Sequence, residues 1–360
     1  MRALPFLEIP IVQAPMAGAA TPELVAAVSN AGGLGSLPLG FTEPAHVAPL
    51  VARVRALTAR PFALNLFVDT SAPVEPAVLQ RAHDRLRPFR EELGIPHPPV
   101  PAVALLDARA QVEAVLAARP AVFSFTFGVP EAAVLERCRA AGIFTIGSAN
   151  TVEEAVALER AGVDAVCAQG FEAGGHHGSF GQPVEFSQIG TLALVPQVVD
   201  AVGVPVIAAG GIGDGRGVAA VLALGAAAAQ VGSAFLRADE AGIPAAFRSV
   251  LATPAARRTS ITTTFSGRTA RGVHNAFMDA MAAVDEIAPY PYQHWLTRDI
   301  RNAAAAQGRA EYLSLWAGQA VGLARPLPAA AIVAALTAGA GAAAEAARAA
   351  LLGSGTGNRV

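Results

Sequence analysis

The chain has 360 residues and a formal net charge of −2, with 53% hydrophobic and 15% charged residues. This composition supports a sizeable buried core and argues against a disordered chain, and the charge gives no electrostatic case for nucleic acid or an anionic membrane surface. All 26 basic residues are arginine, which excludes chemistry that needs a lysine amine and leaves any phosphate to backbone N–H groups, hydroxyls or arginine.

Short apolar runs alternate with Ala-rich amphipathic stretches along the chain. The runs predict strands at Ile11–Met16, Gly35–Leu39, Ala63–Val68, Ala121–Phe127, Phe144–Ser148, Ala165–Ala168, Val204–Ala209 and Ala229–Leu236. Helices are expected at Pro22–Asn30, Ala45–Ala56, Glu131–Ala141, Val152–Ala161 and Gly217–Leu224. This alternation argues for a parallel sheet with helices outside it. Polar and Gly-rich residues follow many different strands. That favours a (β/α)8 TIM barrel, whose strand ends open on one face, over an open doubly wound sheet with one switch point.

The expected organisation is a barrel core over 1–238, a small helical lid over 239–325 inserted after the last strand, a C-terminal helix over 326–352 packing on the barrel, and a disordered tail over 353–360. Residues 69–102, rich in Pro and Arg, read as an insertion. The charge-free run 326–344 is rich in Ala and Gly and reads as a packed helix rather than a membrane span, despite a mean hydropathy of +0.44. The N-terminus MRALPFLEIPIVQAP has no long apolar run, so no signal peptide is read and a cytoplasmic location is expected. Cys138 and Cys167 lack metal-like spacing and read as buried thiols.

Five phrases carry candidate chemistry. In VQAPM, residues Ala14–Met16 end the first strand and could line a planar ring; ordinary barrel punctuation is the alternative. In FALNLF, Asn65 is a polar amide inside an apolar strand. It must find partners across the barrel or on a ligand, because an unpaired buried amide costs about 1–3 kcal/mol. AQGFEAGGHHG gathers Gln169, Gly174 and His176–His177 after a strand. Adjacent histidines make a poor metal pair, whereas one histidine titrating near neutrality suits proton transfer or anion binding. VPVIAAGGIGDGRG and QVGS place Gly211 and Gln230–Val231–Gly232–Ser233 at the ends of the last two strands, where barrels build phosphate sites from backbone N–H groups. In LWAGQAVG, Gln319 is expected on a core helix.

Together these phrases resemble the nitronate monooxygenase family, over most of the chain. The resemblance implies an FMN-dependent barrel with noncovalent FMN held by Asn65, Gln169, Gly174, Gly211 and Gln230–Ser233. Met16 would flank the ring and Gln319 would complete its surroundings. His176 matches the catalytic histidine, His177 stands where relatives often carry Arg, and Tyr290 or Tyr292 would face substrate. The implied reaction is oxidative denitrification. An alkyl nitronate, propionate 3-nitronate among them, or a nitroalkane is oxidised with O2 to a carbonyl compound and nitrite. No metal is implied, and a homodimer is an open option. Enoyl-ACP reductases and NADH:quinone reductases that use FMN look similar at these motifs, so an NAD(P)H-dependent reductase is the first alternative. A non-catalytic flavin-binding barrel is the second.

Overall fold

The computed structural model describes residues 4–68, 73–100, 106–282 and 286–352. The tail from Gly353 and parts of the 69–102 segment lie outside the described residues. Eight strands form one all-parallel sheet: β1 (Ile11–Gln13), β2 (Gly35–Pro38), β3 (Phe62–Phe67), β4 (Val122–Thr126), β5 (Phe144–Ala149), β6 (Ala165–Gln169), β8 (Val206–Ala209) and β9 (Ala228–Val231). The sheet closes between β1 and β2 through the Val12–Leu34 bridge, where Gln13 N–H donates to Leu34 O (2.9 Å) and Leu34 N–H donates to Ile11 O (3.0 Å). The Gln13 side chain is fully buried and reinforces this seam, its Oε1 accepting from Ser36 N–H (3.0 Å). The fold is therefore a (β/α)8 barrel, and its strand ends share one face.

Local chemistry starts the helices at, or within two residues of, the positions the sequence predicts. Thr21 caps Pro22–Asn30 by accepting from Leu24 N–H (3.1 Å), with Pro22 at the first position. Thr151 caps Val152–Ala161 and Asp214 caps Gly215–Ala223 in the same way. The terminal helix Ala329–Leu352 buries Ala329, Ile332, Val333 and Leu336. It packs so tightly on the Asp214-capped helix that a Cβ on Gly215 would lie 2.3 Å from the Gly339 carbonyl carbon. Among the described residues this is the one helix long and apolar enough to cross a membrane, and its first half is packed on the barrel.

A second apolar core stands beside the barrel. It joins Ala82, Leu86 and Leu93 to residues from Leu236 to Val321, among them Phe265, Phe277, Tyr292, Leu296 and Tyr312. The Pro- and Arg-rich insertion thus folds into helices Pro76–Arg85 and Arg87–Glu92 that pack under the residues following the last barrel strand. Arg90 ties the two together, donating to Asp299 (2.7 Å) and to Leu296 O (2.8 Å).

Three expectations need correction. The lid is not only helical: β10 (Thr259–Thr262) and β11 (Ala270–Val273) form an antiparallel pair. The two-residue β7 (Gly175–His176) adds to its edge, so the barrel's His loop becomes part of the lid sheet. The last barrel strand stops at Val231, because Gly232 turns the chain into a 3-10 helix at Ser233–Arg237. Gln319 does not sit on an α-helix. Leu315–Ala317 runs alongside β11, with Val273 N–H donating to Leu315 O (2.8 Å), and Gln319 opens a 3-10 turn.

Candidate active site

The strand ends open on a cavity of about 530 Å³, within the roughly 300–1,000 Å³ of small-molecule sites. Met16, Asn65, Gln169, Gly174, His176, Gly211, Gln230, Gly232 and Ser233 all line it, so the topology gathers residues spread over more than 200 positions of sequence. Val231 contributes backbone instead: its side chain is in the barrel core and its carbonyl accepts from Ala14 N–H (2.9 Å). The Gln319 side chain is exposed outside the cavity, while its N–H donates to Glu172 O (3.0 Å).

The floor is mostly backbone. A Cβ on Gly174 would fall 2.4 Å from the Ala317 carbonyl carbon and from Gly318 N, and one on Gly318 would fall 2.7 Å from Glu172 O. The EAGG and WAG phrases therefore meet backbone to backbone. Gly210 and Gly211 both take left-handed conformations, with φ of 101° and 72°. Among the described residues neither the Gly211 nor the Gly232 N–H has an acceptor. The Ser233 hydroxyl oxygen accepts from Gly318 N–H (2.8 Å), which leaves its hydrogen to donate. Unpaired N–H groups beside a polar cavity cost free energy unless an acceptor completes them, and an anionic oxygen does so well.

Two side amides divide their roles. Asn65 donates to Ser124 Oγ (3.0 Å) and lines the cavity with the rest of its amide. Gln169 is spent on the His loop: it donates to His176 O (3.1 Å), and its Oε1 accepts from Gly178 N–H (2.8 Å) and Asn150 Nδ2 (3.2 Å). Glu154 holds the far end of that loop, accepting from Phe180 N–H (2.7 Å), Gly181 N–H (3.0 Å) and the Ser179 hydroxyl (3.0 Å).

His176 is enclosed by rings. The Phe67, Phe127, Tyr290 and Trp316 centroids lie 5.7–6.1 Å from its own. Phe127 takes φ 77°, a strained conformation for a bulky residue, and its ring lies under the Arg268 guanidinium at 3.8 Å. His176 Nε2 is 2.8 Å from Ser266 Oγ, which also lies 3.2 Å from Arg268 O. A carbonyl only accepts, so with the hydroxyl hydrogen directed there Nε2 donates and Nδ1 keeps a lone pair. Burial first, then the positive charges of Arg268 and Arg301 and the neighbouring His177, push the His176 pKa down to about 3. Its resting form at neutral pH is the neutral imidazole.

His177 is buried rather than placed in the cavity, edge-on to Phe171 at 5.1 Å, and burial lowers its pKa to about 4. Tyr290 packs its ring against His176 without lining the cavity, and Tyr292 is buried in the second core. His294, Arg301 and Phe41 also line the cavity and were not singled out from sequence. They come from loops and lid helices with no motif-like spacing. The available signal was compositional: where every cation is arginine, an arginine on an Ala-rich helix such as RDIRNAAAAQ is a candidate ligand group.

The nitronate monooxygenase family profile matches residues 1–339. The chain belongs to the nitronate monooxygenase family. It is accordingly an oxidoreductase. A probable nitronate monooxygenase from Staphylococcus aureus strain JH9 is 41% identical over 325 residues, covering 90% of this chain and 92% of its own length. Among solved structures, nitroalkane oxidase from Streptomyces ansochromogenes superposes with a TM-score of 0.89 at 41% identity, over 95% of this chain and 98% of that one. FabK from Thermotoga maritima superposes with a TM-score of 0.73 at 28% identity, over 96% of each chain.

Proposed function

We propose that this nitronate monooxygenase family member binds FMN noncovalently and oxidises nitronates with O2 to carbonyl compounds and nitrite. The observation that carries the reading is His176, walled by aromatic rings and hydrogen-bonded to Ser266 through Nε2, in the same cavity as a floor of unpaired backbone donors. The relatives' names supply the substrate class.

The floor fits a phosphate. Gly211 and Gly232 N–H groups and the Ser233 hydroxyl would hold it, in a chain with no lysine to do so. Ala14 and Met16 would take a planar ring, and Asn65 a polar ring edge. Once bound, FMN supplies the electron-accepting chemistry that no side chain here provides. His176 then has two tasks. On a neutral nitroalkane its free nitrogen removes the proton from carbon, and on a nitronate it orients the substrate by hydrogen bonding. The rings around it exclude water from the reacting atoms.

The decisive test is optical. The purified protein should be yellow, acid precipitation should release a supernatant identified as FMN by mass, and anaerobic addition of a nitronate should change the flavin spectrum. In air the same mixture should release nitrite. Colourless protein that FMN does not reconstitute would end the reading. Rapid bleaching by NADH with no response to nitronate would replace it with an NAD(P)H-dependent reductase, the activity class read as an alternative from the sequence.

A further inference from the structure

We propose that Arg301 binds the anionic nitro end of the substrate and so makes the site selective for nitronates over neutral nitroalkanes. The proposal rests on the nitronate reading above and names the group that recognises the charge.

Arg301 lies on the lid helix Arg298–Gln307 and, with Asn302 and Ala305, presents one helical face to the cavity. It is the only arginine among the described residues that lines the cavity. Its Nη2 donates to His294 O (2.7 Å) and lies 3.4 Å from His294 Nδ1, which fixes the guanidinium. The His294 ring is itself pinned flat on Phe41, centroids 3.9 Å apart. Arg301 Nε is buried with no hydrogen-bond partner, and among the described residues no carboxylate pairs with the side chain. Asp299, two positions earlier, is taken by Arg90 at 2.7 Å.

Arg301 is part-buried and reaches the cavity, but a guanidinium with a buried, unpartnered Nε and no counter-charge is costly, and an anion in the cavity offsets that cost. A guanidinium also offers paired donors in one plane, which match the two oxygens of a nitronate as they match a carboxylate. The other cations near His176 are committed elsewhere. Arg268 donates to Ser179 O (2.6 Å) and stacks on Phe127, and Arg271 donates to Phe171 O (3.0 Å) and Thr259 Oγ1 (3.3 Å). Histidine therefore handles the proton and arginine the charge within one cavity: His176 from the barrel loop and Arg301 from the lid.

Steady-state kinetics on the flavin-loaded enzyme test this, using a nitronate, its neutral nitroalkane, and nitrate as a planar anionic competitor. Nitrate should compete with nitronate in the wild type. Arg301→Gln should raise the nitronate KM about 10–100-fold, the scale of a lost charge-assisted pair, and weaken nitrate binding in parallel. The KM for the neutral substrate should stay within about twofold. Arg301→Lys keeps the charge without the paired donors and should fall between; it carries the comparison if the glutamine variant does not fold. An equal rise in KM for both substrate forms, or wild-type enzyme that nitrate does not inhibit, overturns the proposal. If the wild type oxidises no nitronate the function itself fails, and nitrate binding by calorimetry in wild type and Arg301→Gln still decides whether Arg301 holds an anion.

Discussion

The two walls of the cavity are built differently. The barrel wall works through backbone: glycines that let chains approach closely, N–H groups left unpaired, and amides committed to holding a loop. The lid wall works through large side chains, Trp316, His294 and Arg301, beside a separate apolar core against which Trp316 packs. The short strand β7 joins the walls, because the loop that carries His176 is the edge of the lid's own sheet. A rigid floor suits a part of the ligand that stays, and side chains on a second core suit the part that changes from turnover to turnover.

This division makes different substitutions fail in different ways. The largest effect is expected at the junction. His176→Asn should lower turnover of neutral nitroalkanes by about 10²–10⁴-fold, the usual contribution of a general base. Turnover of preformed nitronates should fall far less, since they arrive without the proton and Asn still donates a hydrogen bond. Nitrite release with each substrate form measures both, and equal activity of mutant and wild type on the neutral form removes His176 from catalysis. The next effect belongs to the floor. Ser233→Asp places a carboxylate beside the proposed phosphate donors and should weaken FMN binding by roughly 10–100-fold. Flavin retained after dialysis reads this out, and unchanged occupancy would locate the phosphate elsewhere.

The same division explains what the sequence made legible. The barrel was readable because its strands are short runs rich in apolar residues, β5, β6, β8 and β9 being followed directly by Asn150, Gly170, Gly210 and Gly232, and helices start at capping residues such as Thr21 and Thr151. The Gly-rich ends of β6, β8 and β9 were readable for the same reason: a backbone that must approach a ligand leaves a composition signal. The lid was not. β10 and β11 were missed inside a stretch read as helical because TSIT and ARGV are short and polar-flanked, and β11's other partner, β7, is far away in sequence. Gln319 misled because its neighbours are small and apolar, while the constraint that placed LWAG was the bare contact of Gly174 with Gly318. Arg301 and His294 were invisible for a related reason. Their function depends on which helix face meets the cavity, and that face is set by the second core.

The smallest effect is one of stability, and it weighs the walls against each other. His176 and His177 on the barrel loop have pKa values lowered to about 3 and about 4, and His294 on the lid is lowered further, each mainly by burial. An unfolded histidine takes up its proton near pH 6.5, so below that pH the unfolded chain binds protons that the folded chain refuses. Stability from these groups is therefore complete above about pH 6.5 and is lost as the pH falls toward the folded values. Each histidine contributes at most about 1.4 kcal/mol per pH unit in that window. Paired carboxylates such as Glu23 and Glu113, whose pKa values are lowered from 4.5, add their own loss only at more acid pH. Denaturant unfolding of the protein between pH 7 and pH 5, at fixed flavin concentration, should then show a steady fall in midpoint. His177→Phe should flatten the slope on the barrel side and His294→Phe on the lid side, each removing one proton from the balance. A midpoint unchanged from pH 7 to pH 5 would mean that these rings are not held neutral, and that the two walls are wetter than their packing implies.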